Sequence, residues 1–133
     1  MTPELQSHFL NLYSMALADS QFDEKEIAIL YRIGEDKGIP KEKIDSLLLN
    51  PNLSEHFDLP TTISDKVEYL YDYAKMILAD GVVHEDEIKT LEKFCLKFQF
   101  EDQNVSTIAQ LLIEAAKNGI SKNELLDFVT QNN

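Results

Sequence analysis

A single cysteine in 133 residues, Cys95, leaves no disulfide to form within the chain, so packing alone must hold the fold. Glycine and proline number only four each and gather at apparent helix boundaries. That scarcity excludes the turn-rich texture of a small β-protein and leaves strong helix formers to dominate. No apolar run approaches the ~18 residues of a membrane-spanning helix, and no secretory leader is legible. A reducing cytoplasm is the expected setting, with no direct membrane insertion. Basic residues are half as many as acidic ones, 12 against 24, for a net charge of −12. Such a surface repels phosphate backbones and anionic headgroups, which excludes nucleic acid as an expected partner. It suits a cation or a basic protein surface, although solubility explains the same charge.

Catalytic signatures are missing too. The zincin motif, Walker loop, G-x-S-x-G elbow and Cys-x-x-Cys pair are absent, and no His has a Glu three residues before it, which excludes a carboxylate-bridged di-metal bundle. With no nucleophile–base pair in view, an enzyme is not expected. Cys95 shares helical spacing with Ile88, Leu91 and Phe98, as a buried thiol would.

What is present is helical periodicity. Leu5, Phe9, Leu12 and Ala16 predict a first helix over about 3–18, opened by Pro3. Asp23 with Glu26 is an acidic capping box for a second helix over about 23–37, with Ile27, Leu30, Tyr31 and Gly34 on one stripe and Gly38 closing it. A third runs from Pro40 to about Leu49, where Asn50-Pro51-Asn52 stops it. The stretch Leu53–Pro60 reads as a connection. Ser64 is the expected N-cap of a fourth helix ending at Ala79, with Val67, Leu70, Tyr71, Ala74, Ile77 and Leu78 on a broad apolar face. The alternating Tyr69, Tyr71 and Tyr73 cannot share one helical face, which predicts that some reach the surface, as do His8 and His56. His84 is placed at the N-cap of a fifth helix reaching about Phe98, with Glu87 at N3. Asp102 is the expected cap of a sixth, ending at Gly119, and Ser121 with Glu124 opens a seventh.

The chain also repeats. Sliding it on itself until Asp19 meets Asp80 aligns Met15, Leu17, Ala18, Asp19, Glu24, Glu26, Ile27 and Leu30 with identical residues at Met76, Leu78, Ala79, Asp80, Glu85, Glu87, Ile88 and Leu91. Eight identities in sixteen positions far exceed the roughly one expected of unrelated segments. Ile44 then falls opposite Val105 and Leu47 opposite Ile108. The expected fold class is therefore all-α, about seven helices built on an internally duplicated three-helix unit in a compact bundle. One domain would span 1–133, with repeat 1 over about 3–50, a linker over about 51–62, repeat 2 over about 63–118 and a C-terminal helix over about 121–131.

Each repeat carries an acidic corner: Asp19 with Glu26, and Asp80 with Glu87. Like-charged carboxylates gathered at one corner repel, and a hard divalent cation such as Ca²⁺, Mg²⁺ or Mn²⁺ relieves that repulsion through oxygen ligands. Asp beside a turn and Glu at N3 equally serve as caps. Both readings stand at this point. An EF-hand does not, because positions 3, 5 and 6 counted from Asp80 are Val82, His84 and Glu85.

At Ala79-Asp80-Gly81 with Glu87, and at Ala18-Asp19-Ser20 with Glu26, the chain resembles the tellurite-resistance protein TerB and its relatives, including a domain of a DnaJ-like co-chaperone. The similarity covers about 5–130. It implies an all-helical, duplicated, non-enzymatic fold with an acidic face that binds a divalent cation and acts in stress-linked or membrane-linked complexes. With the charge, the expected function is a module that holds a divalent cation or a basic protein partner in a stress-response setting. The residues that carry over are Asp19, Glu26, Asp80 and Glu87. A purely structural adaptor with no ligand is the alternative.

Overall fold

The computed structural model describes residues 2–18, 24–49, 59–80 and 83–132, with side chains undescribed at 14–18, 80 and 132. Among the described residues the fold is all-α with seven α-helices, grouped into two compact units, Met1–Leu59 and Pro60–Asn133. The boundary falls inside the expected linker, whose residues 51–58, His56 among them, lie outside the described set, as does Asp23.

In the first unit α1 (Pro3–Ala18) packs on α2 (Glu24–Asp36) and α3 (Lys41–Leu49), and α2 packs on α3. Phe9, Leu12, Leu30, Ile33, Ile44 and Leu47 are buried together as its apolar core. The stripe read on α2 is part core and part flank: Leu30 and Gly34 are buried, Ile27 and Tyr31 half-buried. His8, expected at the surface, is instead 1% exposed, because it lies beside Phe9 on the buried side of α1, the two rings 5.8 Å apart.

The second unit is larger. Its α4 (Ile63–Ile77) continues into a 3₁₀ turn at Leu78–Asp80 and packs against α5 (Glu85–Lys97), α6 (Asp102–Asn118) and α7 (Lys122–Asn132). That crowding explains a second difference from expectation. Tyr69, Tyr71 and Tyr73 are all buried, because α4 is covered on every side from residue 69 to 74 and no solvent face remains. Tyr73 stacks on Phe94 at 4.5 Å, and the Tyr71 hydroxyl donates to the Ile120 carbonyl at 2.9 Å. Two caps also move. Thr62, not Ser64, starts α4, its Oγ1 accepting from the Asp65 N–H at 3.1 Å. Glu101, extended at φ −65° and ψ 136°, occupies the N-cap of α6, so Asp102 is its first helical residue. Ser121 caps α7 as expected, accepting from the Glu124 N–H at 3.2 Å.

The internal repeat is written into the backbone. Helices α2 and α5 begin and end at equivalent residues, and α3 and α6 begin at equivalent residues. The corners between them carry the same hydrogen bonds. Ile39 N–H donates to the Gly34 carbonyl at 2.8 Å and Gly38 N–H to that of Glu35 at 3.0 Å; Phe100 N–H donates to Cys95 at 3.1 Å and Gln99 N–H to Leu96 at 3.0 Å. Both are complete Schellman closures, each sealed by a buried apolar residue, Ile39 or Phe100.

Candidate functional site

The better described of the two acidic corners opens α5. His84 holds an extended backbone, φ −92° and ψ 148°, as an N-cap residue does, and its N–H donates to Glu87 Oε1 at 3.0 Å. The backbone N–H groups of Glu87 and Ile88 donate in turn to the His84 carbonyl at 3.1 and 3.2 Å. Glu87 thus performs the N3 half of a capping box. Beside it Glu85 and Asp86 are exposed in the first turn, where the helix dipole favours negative charge.

The matching residue in the first unit differs. Glu26 is only 5% exposed, against the half-buried Glu87, although both stand third in their helices. Among the described residues its Oε2 accepts no hydrogen bond, while the side chain is otherwise engaged. Asp19 lies outside the described residues. Asp80 closes the 3₁₀ turn with its backbone, and its side chain is outside the description as well. Among the described residues no group of three or more His, Cys, Asp or Glu side chains is arranged to hold a metal ion.

Comparison with known proteins adds nothing to the residues themselves. No family model, curated protein or solved structure matches the chain. The TerB-like resemblance rests on its two short motifs.

Two polar clusters have no local signal in the sequence. In the first unit the Tyr31 hydroxyl donates to Asp45 Oδ1, and the Lys41 ammonium lies over the Tyr31 ring at 5.1 Å. The hydrogen bond to Asp45, then burial, push the Tyr31 hydroxyl up to about 12. In the second unit Lys122 Nζ pairs with Glu68 Oε1 at 3.0 Å, and Lys75 sits over Tyr71 at 4.6 Å. Burial, then the charge of Asp72, raise the Tyr71 hydroxyl. The Lys122–Glu68 pair joins α4 to the start of α7 and is structural. Partners 14 and 54 positions apart leave no spacing pattern to read.

Cys95 is buried in α5 as its periodicity predicts, and burial, then the nearby Glu92 charge, push its thiol up to about 12. The thiolate that nucleophilic chemistry requires is therefore suppressed at neutral pH.

Proposed function

We propose that this chain is a non-enzymatic, TerB-like acidic module of the cytoplasm, one that meets a basic protein partner in a stress-response setting. The observation that supports the partner over a bound cation is the state of the acidic corners. Glu87 is engaged by the His84 N–H and Glu26 is buried, whereas Glu85 and Asp86 present their carboxylates to solvent. Outward-facing carboxylates in a protein of net charge −12 attract a cationic surface and speed its encounter.

The test uses a short poly-lysine peptide as a stand-in for the basic surface. Calorimetry should show binding at low salt that weakens steeply as salt is added, and weaker binding by the Glu85→Gln/Asp86→Asn variant. A null result at low salt, or equal binding by that variant, would overturn the reading. A melting temperature raised by several degrees in millimolar Ca²⁺, Mg²⁺ or Mn²⁺ relative to EDTA would favour instead a cation held by Asp19, Glu26, Asp80 and Glu87.

A further inference from the structure

Two helices of the second unit present opposite surfaces built on the same plan. On α5, Lys89, Lys93 and Lys97 recur every four residues on the exposed side, and Leu96 beside them is 45% exposed. On α7, Glu124 and Asp127 flank Phe128, which is 48% exposed. One surface is an apolar anchor beside a row of lysines, with the half-buried Glu92 next to it, and the other is an apolar anchor among carboxylates.

Two observations set these surfaces apart from ordinary solvated helix faces. Basic residues are scarce in this unit, Lys66, Lys75, Lys89, Lys93, Lys97, Lys117 and Lys122, yet three of the seven share one face of one helix. The charges are also uncommitted: among the described residues Lys89, Lys93, Glu124 and Asp127 form no ion pair. A lysine at the end of a helix answers the dipole, which accounts for Lys97 but not for Lys93 in mid-helix.

We infer that the α7 face of a second copy of this chain docks on the α5 face with the two helices parallel, Phe128 settling against Leu96 while Glu124 meets Lys89 and Asp127 meets Lys93. Helices that pack at the usual ~8–10 Å bring such side chains within reach of each other. Residues spaced three and four apart lie in one row on each helix, so the two rows run side by side. The occupant is a copy of the same chain because the complementary row is present on it, with both sign and anchor matched. Two apolar anchors and a few exposed charges make a small interface, so the association is weak and salt-sensitive.

Sedimentation velocity on the full chain tests the pairing. The wild-type protein should self-associate at high concentration in low salt and dissociate on adding salt. Lys89→Glu/Lys93→Glu and Glu124→Lys/Asp127→Lys, all at exposed positions, should each weaken association about tenfold. An equimolar mixture of the two variants should associate again, since each now supplies the row that complements the other. Leu96→Asp should abolish association while circular dichroism stays native. A wild-type chain that remains monomeric in low salt overturns the inference. So does association that survives both charge reversals, or a mixture that fails to recover it.

Discussion

Gln99 holds the left-handed backbone that Gly38 holds at the equivalent place in the first repeat, φ +71° against +75°. Each closes its helix through the same pair of hydrogen bonds, but only glycine does so without a Cβ clash. Gln99→Gly should therefore stabilise the protein by about 1 kcal/mol, and Gly38→Ala should destabilise it by a similar amount. Urea denaturation of the two variants decides it, and a loss of stability in Gln99→Gly would contradict the argument.

Gly34 and Cys95 are equivalent in the repeat, as are Ile44 and Val105. A Cβ built on Gly34 would stand 2.4 Å from Ile44 Cδ1 and 3.3 Å from the Ile39 carbonyl oxygen. Ile44 is fully buried and has little room to retreat, so Gly34→Ala should cost about 1–2 kcal/mol despite alanine's better helix propensity. Ile44→Val removes the clashing methyl, the trade already present at Cys95 and Val105. The double variant should recover most of the loss, and additive costs in a double-mutant cycle would count against the clash.

Glu87→Ala removes the acceptor for the His84 N–H. The loss of a cap at an exposed helix start should cost about 0.5–1 kcal/mol, equally in EDTA and in millimolar divalent cation. A cost that appears only with the cation present would mark Glu87 as a ligand.

Tyr31 and Cys95 both hold their protons more tightly in the folded chain. Their ordinary values are 10.0 and 9.0, and each is pushed up to about 12. A group raised on folding contributes stability that is whole below its unfolded value and disappears as pH climbs to the folded one. Stability should therefore fall from about pH 9 towards 12, more shallowly in Tyr31→Phe above pH 10. Denaturant midpoints measured across that range provide the check; identical slopes for the variant and the wild type would refute the Tyr31 contribution.

The sequence revealed the helices well because each one signals locally. Apolar residues three and four apart mark the buried stripe, Gly38 and Gly119 mark ends, and Ser121 marks a start. Where it misled, the deciding cause was non-local. Thr62 and Ser64 are both good caps, and only the backbone selects Thr62. The burial of Tyr69, Tyr71 and Tyr73 depends on how many neighbours α4 has, a property of packing that helical period cannot supply. His8 misled for a similar reason, since a polar side chain on the inner face of α1 looks the same in a sequence as one on the outer face. The acidic corners were visible as a repeated pattern. That pattern does not show that Glu26 is buried and Glu87 is not.

The paired helix corners at Gly38 and Gln99 bear on how such a chain can change length. Their hydrogen bonds follow one pattern and recur at the same place in each repeat, so the chain could be rejoined across them with the closure kept. A splice that joined residue 38 to residue 100 would delete one repeat length and leave an α2-like helix running into α6 through an intact closure. The reverse exchange would insert a third copy. Length can therefore vary in whole units here, without a new turn having to be invented at the seam.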